Sequence, residues 1–253
     1  LGPGSADLLQ SGDEVADRNG RAQCVKLFDE AHRIENQSEE VAILNLGSLD
    51  WPFPIPIVKD GELWYFDTEE GHEEIINRRV GRNELFTIQV CLAFVDAQRE
   101  YFQNDWDEDG ILEYAQKNRS SPGKKDGLYW PTEEGEELSP LGDLAADAEA
   151  EGYAVDDPAE GPRPYHGYLY RILKSQGKNA PGGARDYMVG ENMIGGFALV
   201  AWPAGHADSG VMTFLVNHDG KVFEKDLGPD TAELVKAITS FDPDDSWKPA
   251  PTE

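Results

Sequence analysis

Positive charge is what this chain has least of. Its 253 residues hold 22 lysines and arginines against 49 aspartates and glutamates, a formal charge of −27 at pH 7. A field of that sign repels phosphodiester backbones and anionic bilayer surfaces, which argues against nucleic acid or a membrane surface as partner. Cysteine is almost missing as well. Cys24 and Cys91 are too few for a disulfide framework, although a single bridge between them stays open. Cys91 sits in the apolar run 88–95 and reads as a small buried hydrophobe. No hydrophobic run approaches the ~20 residues that cross a bilayer, and no internal repeat is evident. The histidines (His32, His72, His166, His206 and His218) fall at no metalloprotease spacing. Gly182-Gly183 and Gly195-Gly196 lack the strand-to-helix setting of a phosphate-binding loop.

Aromatic and aliphatic mass is plentiful. Six Trp, nine Tyr and ten Phe in a composition that is 39% hydrophobic suffice for a packed core. The length suits one large domain or two small ones. Residues 1–5 (Leu-Gly-Pro-Gly-Ser) read as the scar of a removed tag, with any signal peptide already gone.

The segment Asp105-Trp106-Asp107-Glu108-Asp109-Gly110-Ile111-Leu112-Glu113 carries the clearest chemistry. Acidic residues at alternate positions of a tight loop converge on one point, and Gly110 supplies the bend. A hard divalent cation of the calcium type takes six to eight oxygen ligands, which such a loop offers. The expected ligands are the side chains of Asp105, Asp107 and Asp109, the backbone carbonyl of Ile111, and Glu113 directly or through water. Position twelve, where a bidentate glutamate closes an EF-hand loop, is Gln116, so the shell is incomplete.

Around this loop the periodicities predict alternating elements. An apolar stripe of Val25, Leu27, Phe28, Ala31 and Ile34 predicts a helix over 21–35. Residues 41–46 alternate as a strand. The prolines of Trp51-Pro52-Phe53-Pro54-Ile55-Pro56 restrict that segment to an edge strand or an extended connector. Asp60-Gly61 makes a hairpin turn into strand 63–66. Thr68 is expected to cap a helix that Gly81 can break, and a second helix covers 83–103 with Leu85, Ile88, Leu92 and Phe94 or Val95 on one side. Residues 120–164 form a long irregular insertion with a short helix near 141–150. Strands at 168–173, 197–202, 211–216 and 222–226 describe an antiparallel meander, followed by a helix over 231–240 and a polar tail, 242–253.

Three further features have competing readings. Arg78, Arg79 and Arg82 form a basic cluster that suits an anion clamp, or ion pairs with Glu73, Glu74 and Glu84 at helical spacing. His206 near Ser209 resembles triad material only by chain proximity. The aromatic and proline segments at 51–56 and 129–131 line a ligand groove or fill the core.

Several strings occur together: Trp51-Pro-Phe-Pro-Ile-Pro56, Arg78-Arg79-x-Gly81-Arg82-Asn83-Glu84, Gly127-Leu-Tyr-Trp-Pro131, Tyr165-His-Gly167, Gly195-Gly-Phe-Ala-Leu-Val-Ala-Trp-Pro203 and Val216-Asn-His-Asp-Gly220. Through them the chain resembles the bacterial family known as domain of unknown function 2950 over nearly its whole length. The resemblance implies an exported protein, periplasmic or secreted, with no assigned catalytic residues. From Asn83 onward the chain also resembles a pilin or pseudopilin globular domain, carried by Ala97-Gln98, Tyr101, residues 168–171, Ala201-x-Pro203 and residues 214–220. That likeness implies a helix packed across an antiparallel sheet, with calcium held in a loop in some members.

The expected fold is therefore α+β. A small N-terminal α+β unit, residues 6–82, is joined by a long helix to a pilin-like helix and sheet, residues 83–241. The expected function is non-enzymatic, by binding to or assembling with an envelope protein partner, with a structural calcium-type site. The alternatives are an envelope hydrolase combining the acidic loop with His166 or His218, and a small-ligand-binding protein.

Overall fold

The computed structural model describes residues 8, 10–133, 135–136, 138–153 and 163–251. The tag-scar reading of residues 1–5, part of the 120–164 insertion and the last two residues of the expected tail lie outside them.

Helix α1 (Glu14–Glu30) starts seven residues earlier than expected, because the Asp13 side chain accepts the Ala16 N–H at 3.0 Å and caps it. It also ends earlier. Ala31 turns extended, and the chain enters strand β1 (His32–Asn36), which pairs antiparallel with β2 (Val41–Leu46) in the register Ile34 opposite Leu44. Cross-strand pairing overrides the helical period there. The expected stripe is not a core face: no residue of α1 is buried, and Val25 and Ile34 are 61% and 62% exposed.

On its other side β2 pairs first with β3 (Trp51–Pro52) and then with β4 (Ile57–Asp60). Residues 53–56 bow out between them, since proline cannot donate to the ladder. The Phe53 N–H still reaches Leu44 O at 2.7 Å. Segment 51–56 is thus part edge strand, part extended connector. Strand β4 turns at Asp60-Gly61 into β5 (Leu63–Phe66), the expected hairpin.

Helix α2 (His72–Tyr101) runs thirty residues without a break at Gly81. Thr68 does not cap it; Gly71 occupies the N-cap position with no side-chain bond. A Cβ on Gly71 would come within 2.8 Å of Ile55, so glycine lets the helix start against the proline connector. Ile88, Cys91, Phe94, Val95, Gln98 and Tyr101 are buried at spacings of three and four. Leu85, expected on that face, is 60% exposed.

The buried face of α2 crosses a five-stranded meander, β6 (Tyr168–Leu173), β11 (Ala198–Pro203), β12 (Met212–Asn217), β13 (Phe223–Asp226) and β14 (Lys248–Pro249), adjacent in that order. Between β6 and β11 the chain makes two small ribbons, β7 (Ser175–Gln176) with β8 (Arg185–Asp186) and β9 (Met188–Val189) with β10 (Asn192–Met193). Helix α3 (Gly142–Glu151) interrupts the long middle segment. The final helix, α4 (Thr231–Leu234), is much shorter than 231–240; a 3-10 turn, Val235–Ala237, follows it. The expected polar tail also needs correcting. Residues 248–249 form the edge strand β14, and Ala250 is buried. Helices and antiparallel sheets together make the α+β class expected.

Candidate functional site

The acidic loop leaves the C-terminus of α2 and is fastened before its carboxylates converge. Gln98, fully buried, clamps Ala115 twice: its Nε2 donates to Ala115 O at 2.8 Å and its Oε1 accepts the Ala115 N–H at 2.9 Å. Trp106 Nε1 donates to Tyr101 O at 3.0 Å, and the Phe102 and Tyr114 rings stack at 4.5 Å. Within the loop Glu108 and Gly110 adopt positive φ, 62° and 87°. Glycine takes that conformation freely, whereas Glu108 is strained there.

The bends bring Asp105, Asp107 and Asp109 together, each offering a carboxylate oxygen within 4.8 Å of the others. They are the one such group of metal-ligand side chains among the described residues. Asp105 Oδ2 accepts the Gly110 N–H at 2.8 Å, and this bond first of all lowers its pKa. Asp105 Oδ1 is shut off from solvent with no hydrogen-bond partner. Such an atom suits a cation's shell, because an acceptor stripped of water needs a partner. Asp109 Oδ1 accepts the Ile111 N–H at 2.7 Å.

The Ile111 side chain is exposed, and Glu113 stands outside the three-carboxylate group. Burial pushes the Glu113 carboxyl up. The Met193 N–H, which donates to Glu113 Oε2 at 3.1 Å, opposes that shift, while the charges of Asp107 and Asp109 add to it. Gln116 turns to the β9–β10 ribbon, where its Nε2 donates to Glu191 O at 2.6 Å, while its Oε1 accepts Lys174 Nζ, just past the end of β6, at 2.8 Å.

That ribbon is the partner sequence reasoning missed. Asn192 Nδ2 donates to Asp109 Oδ2 at 2.8 Å, and the Tyr114 N–H donates to Met193 O at 2.8 Å. The acidic loop therefore ties the end of α2 to a ribbon some eighty residues away, and no local pattern could signal it.

The histidines do not join this loop. His166, at φ 48°, lies 2.8 Å from Glu151 Oε2 without hydrogen-bond alignment and packs on Phe86. Its neighbours Tyr153 OH and the Gly167 N–H both donate to Asp13 Oδ2 at 2.9 Å. Burial lowers the His166 pKa despite Glu151. His218 sits against the Tyr187 and Phe197 rings, with Arg185 at 3.3 Å. His206 bonds Asp226 at 2.9 Å while the Ser209 hydroxyl donates to Gly205 O at 3.2 Å, so the two share no triad.

The arginine cluster splits. Arg78 pairs with Glu74 at helical spacing, at 2.7 Å. Arg79 instead bonds Asp208 and Leu8 O, and Glu84 accepts the Val211 and Met212 N–H groups at 2.9 Å. Both cysteines are free, Cys91 completely buried.

A family model described as "Protein of unknown function (DUF2950)" matches residues 1–250. The chain belongs to this family. Membership of DUF2950 covers both sheets, the long helix and the acidic loop, and its description assigns no activity. No curated protein and no solved structure matches the chain. No helix among the described residues is long and apolar enough to cross a membrane.

Proposed function

We propose that this is an exported envelope protein, periplasmic or secreted, that acts by binding or assembly and not by catalysis. A calcium-type ion closes its acidic loop. One observation supports the ion above all: three carboxylates gather within 4.8 Å while Asp105 Oδ1 is both dry and unpartnered. Like charges so close repel, and a hard cation with oxygen ligands offsets that repulsion. The long helix crossing an antiparallel meander is the arrangement a pilin-type domain uses, and the ion's job is to hold helix and ribbon in register. The family resemblance supports export, and an envelope protein is the partner class that follows from it.

Calorimetric titration of chelator-treated protein tests the ion. Calcium is expected to bind with measurable heat and to raise the melting temperature. At a hundredfold excess over Kd the gain is about 2.7 kcal/mol, or several degrees for a chain of this size. Asp107→Asn removes both effects. Neither heat nor shift at millimolar calcium rejects the ion.

A further inference from the structure

Two features that the sequence presents separately, the arginine cluster and the aromatic-proline segment, meet in one groove of about 460 Å³. Helix α2 offers Ile75, Arg78, Arg79 and Arg82, which recur at spacings of three and four and so share a face. The connector supplies Trp51, Phe53 and Ile55 as an apolar wall. Opposite stands α1, with Gly20, Cys24 and Val25 on its groove side. The lining combines hydrocarbon with guanidinium groups.

The charge pattern decides what fits. Four arginines line the groove beside one acid, Asp17; of the three on α2, Arg78 is paired with Glu74 and Arg79 with Asp208, which leaves Arg82 to face a ligand. Asp17 is already committed, accepting the Ser11 N–H at 2.9 Å and the Ser11 hydroxyl at 2.8 Å. Arg78 is fixed in place: Pro52 O accepts its Nη1 at 2.7 Å, and its guanidinium lies 5.0 Å from the Trp51 ring centre. Arg82 is exposed, and its charge acts on His166, whose pKa it helps to lower. An exposed guanidinium presents a planar fork that matches a carboxylate. The apolar side is equally open, since α1 has no buried residue and Val25 is 61% exposed.

We propose that this groove binds a single-chain anionic amphiphile, a long-chain fatty carboxylate, with its tail between α1 and the Trp51–Ile55 wall and its head on Arg82. The volume falls within the range of about 300–1,000 Å³ typical of small-molecule sites. The proposal deepens the reading of the protein as a binding protein and is independent of the ion in the acidic loop.

Displacement of the fluorescent fatty acid cis-parinarate from the whole chain by palmitate tests it. Palmitate is expected to displace the probe and hexadecanol, its neutral counterpart, to do so at least about tenfold less well. Arg82→Glu and Val25→Glu, both at exposed positions, each weaken palmitate by about tenfold or more. Palmitate also slows the reaction of Cys24 with a thiol reagent, Cys91 being buried and silent. Asp107→Asn abolishes the calcium shift but leaves palmitate binding intact, which separates this site from the ion site. Four results overturn the proposal: no parinarate uptake, hexadecanol equal to palmitate, Arg82→Glu without effect, or a sedimenting dimer that Val25→Glu dissolves. Binding only to phosphatidylglycerol vesicles, and not to monomeric palmitate, overturns it as well.

Discussion

Asp126 shows how one carboxylate fastens a loop of the middle segment. Its Oδ2 accepts Lys117 Nζ at 2.6 Å and the Ser121 hydroxyl at 3.0 Å, and its Oδ1 accepts the Ser121 N–H at 2.7 Å. Burial alone would raise its pKa, but these bonds outweigh burial and hold it at about 2, below the usual 3.8. A carboxyl depressed on folding contributes stability that is present above the unfolded pKa and is lost as pH falls through the folded value. The window here runs from about pH 4 down to about 2. The side chain is 34% exposed, so solvent screening trims the gain. Asp126→Asn is expected to cost about 1 kcal/mol at pH 7, read by urea unfolding, and the gap to the parent should close as pH falls from 4 towards 2. A gap of constant size across that range would show that the charge is not its source.

At the scale of elements, what the sequence makes legible follows the range of the forces. The acidic loop is spelled in consecutive residues, so its convergence could be read from spacing. Its attachment to Asn192 and Met193 could not. The hairpin at Asp60-Gly61 and the meander strands are likewise local patterns. The boundary at Ala31 was misread because Ile34 continues a helical period while its pairing with Leu44 decides for a strand. Edge strand β14 was hidden because Lys248 and Pro249 carry no strand pattern and pair only once β13 is in place. Gly81 can break a helix, yet the turns on either side carry α2 through it. A glycine inside a helix costs about 0.5–1 kcal/mol relative to alanine. A Cβ at Gly81 meets nothing within 4 Å. Gly81→Ala should therefore raise the melting temperature by about 1–4 °C, measured calorimetrically with chelator present. A lowered value would mean that the helix needs a bend at that point.

For the whole molecule, charge is the governing quantity. With 49 acids and 22 bases the mean interaction between exposed charges is repulsive. The surface pairs, such as Lys236–Glu233 at 2.6 Å, are too few to reverse it. Salt acts on both terms, weakening the attraction within pairs and the repulsion between unpaired acids. Repulsion is the larger here, so salt should stabilise. Raising sodium chloride from 0.05 to 1 M shortens the screening length to about 3 Å. With calcium chelated, the melting temperature is expected to climb by several degrees, and Arg82→Glu, which adds to the excess, should steepen the climb. A melting temperature that is flat or falls with salt would place the balance in the ion pairs, and the excess of carboxylates would then have to be held by bound cations even in the chelated protein.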